Sequence, residues 1–332
     1  MTRINLALQG GGAHGAFTWG VLDRILEEED IEIAAISGTS AGAMNGAALK
    51  AGMIEGGRDG ARANLDWLWS EMGATRADWP SDRITAQWID TAIEYSPGYQ
   101  WFDAWSRVFS PYSLGPLYEN PLARIVERFR YDEVCAATEP ALFVSATNVR
   151  SGKIRVFAGD EITPDAILAS ACLPTIFRAV EIDGEAYWDG GYTGNPALFP
   201  LFEPHLPDDI VVVNINPLHR DEVPVQAGDI LNRINEISFN TSLLRELRAI
   251  AFVKRLVAEG RVAKGAMKDV KVHMIADDAL MSELSVASKL VPNPTLLRRL
   301  KEAGRAAADD FLLNHFETIG EASSVDLPGL YD

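Results

Sequence analysis

The chain has 332 residues, 47% of them hydrophobic, and a formal charge of −17, which is enough to bury a sizeable core in one or two domains. That acidity excludes nucleic acid, whose phosphates need a basic face. It also weighs against steady adsorption to an anionic membrane, while leaving room for transient membrane-surface contact through an apolar patch. Only Cys135 and Cys172 occur, so no disulfide framework is expected. With no signal-peptide-like stretch after Met1-Thr2-Arg3 and no apolar run of about eighteen residues, the expectation is a soluble cytoplasmic protein.

Ile4 to Gln9 reads as a first strand running into Gly10-Gly11-Gly12, and Phe17 to Glu28 carries helical spacing through Val21, Leu22, Ile25 and Leu26. Ile31 to Ile36 reads as a second buried strand, followed by an Ala-rich helix over Ala41 to Ala51. Two βα units in fifty residues imply a parallel sheet with covering helices. Six of the eight tryptophans (Trp67, Trp69, Trp79, Trp88, Trp101 and Trp105) then fall within forty residues with poor periodicity. They point to a cap of short helices and loops over 67–118, either a satellite core or an acyl-binding lid, since indoles suit a half-wet boundary.

Beyond the cap, Asn120 to Arg130 reads as a helix, and Ala141 to Thr147 as a strand with Ile154 to Phe157 as its hairpin partner. Thr163 to Ala171 reads as a helix, and Glu185 to Trp188 leads to Asp189-Gly190-Gly191. Asp209 to Asn216 has the strongest strand signal and reads as a central strand buried on both faces. Ile230 to Glu259 reads as two helices meeting near Asn240-Thr241, Val270 to Ala276 as a strand, and Pro294 to Phe316 as a closing helix.

Gly38-Thr39-Ser40-Ala41-Gly42 fits G-x-S-x-G between a strand and a helix, the setting of a serine nucleophile on a sharp turn, with Gly38 and Gly42 relieving the crowding. Gly10 to Gly15 satisfies G-x-G-x-x-G, yet the second strand lacks the acidic tip that a ribose needs, which argues against a nucleotide-binding oxidoreductase. If the first two strands are neighbours, the N–H groups of Gly11, Gly12 and Ala13 form an oxyanion nest beside Ser40. A serine needs a base. The candidates are His273, in a conventional triad, and Asp189, whose weak basicity burial would strengthen. His14 stands on the substrate side of the nest or serves as a capping residue.

Gly10 to Gly15, Gly38 to Gly42 and Asp189-Gly190-Gly191, in this order, resemble the patatin-like phospholipases, and Ala169-Ser170-Ala171-Cys172-Leu173-Pro174 resembles a further block of that family. The resemblance covers about residues 4–220. It implies a three-layer α/β/α sandwich with a mostly parallel sheet, to which 221–332 adds a mainly helical region completing the same globule. It also implies a serine acyl hydrolase of phospholipase, lysophospholipase or esterase type acting on lipid or acyl-ester substrates. Catalysis would use a Ser40–Asp189 dyad and the hole at Gly11, Gly12 and Ala13, with no metal or cofactor. Many members carry Arg or Lys where His14 stands, so a lasting positive charge near the oxyanion is missing from the motif. A non-catalytic lipid-binding protein on the same fold is the alternative.

Overall fold

The computed structural model describes residues 1–73, 86–101, 110–129, 134, 139–225, 227–263 and 265–330. Eight strands form one sheet: β1 (Thr2–Leu8), β2 (Ile31–Gly38), β3 (Ala141–Asn148), β4 (Ile154–Ala158), β5 (Val180–Ile182), β6 (Glu185–Asp189), β7 (Asp209–Asn214) and β8 (Lys271–Ala276). The order is β5-β6-β3-β2-β1-β7-β8, with β4 also paired to β3. The five strands β3-β2-β1-β7-β8 are mutually parallel, whereas β4, β5 and β6 add antiparallel pairs at one side.

Period-two alternation along the central strands divides the core into two layers. Leu6 and Leu8 of β1 and Val211 and Val213 of β7 face one apolar cluster, and Ala7, Ile210 and Val212 face the other. All six residues of β7 are buried, as its uninterrupted apolar run predicts. The first face is covered by α1 (Gly15–Ile25), α2 (Ala41–Gly73) and α9 (Pro294–His315). The second is covered by α6 (Ala227–Ala258). Between these lie α3 (Ala86–Glu94), α4 (Ala123–Val126), α5 (Pro164–Ser170), α7 (Asp278–Ser282) and α8 (Val286–Leu290). The result is the expected mixed α/β sandwich, with C-terminal helices packed on both faces.

Helices α1 and α9 approach to backbone contact. A Cβ on Gly20 would stand 1.9 Å from the Lys301 carbonyl oxygen, and one on Gly304 would stand 2.0 Å from that of Phe17. The buried Asp23 of α1 pairs with Arg62 of α2 (2.9 Å) and with Arg305 of α9, tying the three helices together.

Three elements differ from their sequence reading. Segment α2 holds the expected helix from Ala41, which runs a few residues past Ala51, and adds a second one. At non-helical Gly56 and Gly57 the chain turns back and runs along the first helix to Gly73, with Asn64 Nδ2 donating to the Ala48 carbonyl at 2.7 Å and Gly52 packed against Gly60. Segment α2 therefore carries Trp67 and Trp69 itself, while Trp79, Trp105 and the side chain of Trp88 lie outside the described residues. Among the described residues, the helix expected over Asn120 to Arg130 spans only Ala123–Val126. The segment read as two helices is the single helix α6. Short polar side chains such as Asn240 and Thr241 weaken a helix by competing for its backbone. Here the Asn240 amide instead serves the Asn216 and Pro217 carbonyls and Gln9, and the Thr241 hydroxyl donates one turn back to the Ile237 carbonyl.

Candidate active site

Strand β2 ends at Gly38, and the chain reverses into α2 through Ser40, which has a left-handed φ of 54°. A non-glycine residue held there is strained and persists only where its surroundings fix it. The fixing contacts are visible. Ser40 N–H donates to the Ser170 hydroxyl at 2.8 Å, and Gly42 lies so close to β1 that a Cβ would stand 2.1 Å from the Leu8 carbonyl oxygen. A Cβ on Gly38 would likewise meet the Gly42 carbonyl oxygen at 2.7 Å.

The glycine loop after β1 lies directly against this turn. A Cβ on Gly10 would stand 2.7 Å from the Ser40 Cβ. The Gly10 N–H is committed to Asn195 Oδ1 at 2.6 Å, and Asn195 Nδ2 donates back to the Gly10 carbonyl at 3.3 Å. Gln9 Oε1 accepts the N–H groups of Ile215 and Asn216, pinning the loop to the end of β7. Among the described residues no protein acceptor takes the N–H of Gly11, Gly12 or Ala13. Gly12, in the left-handed region at φ 59°, and Ala13 share a cavity wall with Ser40.

Asp189 reaches Ser40 through the sheet. One edge of β3 is occupied by β4, so β2 and β6 share the other end to end: Gly38 pairs with Val144 and Asp189 with Ala146. Asp189 is fully buried, and its Oδ1 accepts the Gly191 N–H at 2.7 Å. Burial pushes its carboxyl up to about 7, against the opposing hydrogen bonds of the Gly191 N–H and the Ser40 hydroxyl. Oδ2 is left without a partner of good geometry, the loose contact common in a site awaiting substrate.

The cavity beside Ser40 measures about 270 Å³ and is walled by apolar side chains, among them Met44, Leu68, Trp69, Met72, Leu173, Ile176, Phe177 and Leu290. Trp69 is oriented by its indole N–H to Asn45 Oδ1 at 2.8 Å. Of the remaining described tryptophans in the cluster, Trp67 meets Phe129 edge-on and Trp101 is exposed.

His14 is buried, and its Nε2 pairs with the Ser288 hydroxyl at 2.8 Å rather than lining the cavity. Burial, together with the charges of Lys289 and Arg220, holds it well below the usual histidine range, so it is neutral. Of those two, Lys289 also lines the cavity, and both are committed to a buried carboxylate. Arg220 forks onto buried Glu236 at 2.7 and 2.9 Å, and the Lys289 ammonium lies 3.5 Å from the same carboxylate. Burial would raise the pKa of Glu236, but Arg220 and Lys289 outweigh it and hold the carboxyl below its usual range. His273, the triad candidate, bonds Asp209 at 3.0 Å and Ser324 at 3.2 Å, so both of its ring nitrogens are committed away from Ser40. Burial pushes the Cys172 thiol up to about 12, which leaves it inert.

The sequence motifs do not reveal Asn195, Lys289 or the Arg220–Glu236 pair. Ser170 lies within the Ala169–Pro174 block, but nothing in that stretch announces its bond to Ser40. Among the described residues no cluster of His, Cys, Asp and Glu could hold a metal ion, and no helix is long and apolar enough to cross a membrane.

A strand-capped serine turn, a bare amide loop and a buried aspartate beside an apolar cavity are an arrangement that could carry out acyl transfer. The family model of the patatin-like phospholipases matches residues 6–202, and the chain belongs to that family. Membership carries the general character of a lipid acyl hydrolase. Among solved structures, VipD from Legionella pneumophila is similar at 13% identity, over 95% of this chain and 67% of VipD, with a TM-score of 0.45. No curated protein matches the sequence significantly.

Proposed function

We propose that the protein is a metal- and cofactor-independent serine acyl hydrolase that cleaves carboxylic esters of lipids through Ser40 and Asp189. The single observation that carries this reading is the buried Asp189 carboxyl, with Oδ2 unpartnered, acting on a serine whose backbone is held left-handed beside uncommitted amides. The Ser40 hydroxyl attacks the acyl carbonyl and passes its proton to Asp189. The carbonyl oxygen, now an oxyanion, is held by the N–H groups of Gly11, Gly12 and Ala13, where losing one such donor costs about 2.7–4 kcal/mol. Collapse expels the alcohol or lysolipid, which takes the proton. Water activated by Asp189 then releases the fatty acid and frees Ser40.

The apolar cavity supports an acyl chain as the group bound beside Ser40. The neutral His14 serves here as a support of the loop. Residues 4–220 form the hydrolase core in this reading, and β8, α6 and α9 complete the same globule.

The test uses a chromogenic butyryl ester with chelator present. Ser40→Ala and Asp189→Asn should each abolish turnover without unfolding the protein, and a fluorophosphonate probe should label the wild type but not Ser40→Ala. Full activity in either variant refutes the dyad, and loss of activity with chelator refutes metal independence. An unlabelled wild type would favour the non-catalytic lipid-binding protein.

A further inference from the structure

The N-terminal half of α6 is built inside out. Asn232, Glu236 and Asn240 are buried, while Ile230, Leu231, Ile234 and Ile237 stand 41 to 54% exposed. The C-terminal half has the ordinary polarity, with Leu243, Leu247 and Ile250 in the core. Its outer face carries Arg245, Arg248, Phe252 and Arg255. At helical spacing, positions 230, 234, 237, 241, 245, 248, 252 and 255 form one stripe along the helix. This stripe is apolar at one end and cationic, with an exposed aromatic ring, at the other.

The charge of the stripe runs against that of the chain. Residues 245–271 hold eight Lys or Arg and three Asp or Glu in a protein of net charge −17. An open groove of about 960 Å³ follows the arginines, with residues 323–328, including the carboxylate of Asp326, as its other wall. Arg255 covers the Phe252 ring at 5.3 Å. The inner side of the same helix meets the site: Phe239 packs edge-on against Tyr192 at 5.4 Å, and Asn240 holds Gln9.

We propose that this outer stripe of α6 docks the protein on an anionic lipid surface. Ile230, Ile234, Ile237 and Phe252 enter the headgroup–acyl boundary, and Arg245, Arg248 and Arg255 engage lipid phosphates. The inside-out half packs its polar face on the molecule and leaves its isoleucines uncovered, and a helix lying in a membrane interface calls for apolar and cationic residues on one side. A lipid surface matches both the arginines and the isoleucines, and this choice rests on the lipid-hydrolase reading. Net charge misleads at this point, because a surface within a Debye length feels the nearest residues and not the sum.

The test is flotation of the full chain, as Ser40→Ala to keep the vesicles intact, with phosphatidylcholine vesicles with and without phosphatidylglycerol. Binding should require phosphatidylglycerol and weaken with salt. Arg245→Glu/Arg255→Glu should lower partitioning about fivefold or more per cation removed, and Ile234→Glu/Ile237→Glu should also release the protein. Without the Ser40→Ala change, both double variants should hydrolyse a soluble butyryl ester at the wild-type rate. Wild-type-like partitioning of either double variant, or no binding by the parent, overturns the proposal. So does sedimentation showing that the stripe joins two copies of the chain. Failure of the wild type to hydrolyse the soluble ester, with vesicle binding intact, would instead count against the enzyme reading alone.

Discussion

Replacing Asp189 by Asn should abolish hydrolysis and at the same time shift stability in favour of the variant by an amount that grows with pH. The carboxyl is held at about 7 in the folded protein against an ordinary value of 3.8, so folding raises its pKa. A raised folded pKa stabilises the protonated protein, and that stability is lost as pH climbs from the unfolded to the folded value. Each unit is worth about 1.4 kcal/mol, so about 4 kcal/mol has been lost by pH 8. At pH 5, where the unfolded chain has ionised and Asp189 has not, the loss is only about 1.7 kcal/mol. The asparagine side chain keeps the acceptor for the Gly191 N–H and carries no charge. Its new N–H donors face the Ser40 hydroxyl, and leaving one unpaired costs about 1–3 kcal/mol at every pH. The difference between the two pH values is free of that constant: the advantage of the Asp189→Asn variant over the wild type should grow by about 2–3 kcal/mol from pH 5 to pH 8. In a chain of this size that is a shift of about 5 °C in the Tm difference. Thermal denaturation of both proteins at both pH values measures it. An advantage that is constant or shrinks with rising pH would show that Asp189 does not hold a disfavoured charge.

Three further outcomes follow from the same geometry. Because Asp189 must shed its proton to act as base, kcat/KM on a soluble ester should rise with pH about a midpoint near 7, and a flat profile between pH 5 and pH 8 would refute that role. Met44→Trp fills the apolar cavity beside Ser40 and should lower kcat/KM for dodecanoyl esters about tenfold or more while sparing butyryl esters; equal losses on both would remove the cavity from acyl selection. Gly304→Ala forces a methyl against the Phe17 carbonyl and should lower the urea midpoint, a loss of about 1–3 kcal/mol or more of stability. An unchanged midpoint would mean that α1 and α9 part without strain.

What the sequence made legible is what is written in contiguous residues. The Gly38–Gly42 turn and the Gly10–Gly12 loop announce backbone approach because only glycine tolerates it, and Asp209–Asn214 announces a doubly covered strand by its apolar run. Pairings that close through space were not legible, such as Ser170 on Ser40, Asn195 on Gly10, or Lys289 and Arg220 near His14. Nor was the second helix of α2, which folds back along the first after Gly56-Gly57 and is held there by contacts such as Asn64 on Ala48. Helix α6 misleads for a different reason. Its buried face changes from polar to apolar near Asn240, and a change of chemistry along a helix looks like a change of helix. The clustered tryptophans divide in the same way, since Trp69 belongs to the core and Trp101 to solvent.

The shared edge of β3 has a consequence for how such a protein can change. Val144 and Ala146 are neighbours but one along a single strand, and they set where the serine turn leaves the sheet and where the aspartate strand joins it. Of the intervening chain, β3 sets that spacing, and Ser170 and Cys172 hold the backbone of Ser40 and Asp189. Loops and caps away from β3 and α5 can be lengthened or exchanged between the two groups without detuning them. A slip of one residue in β3 would separate them at once.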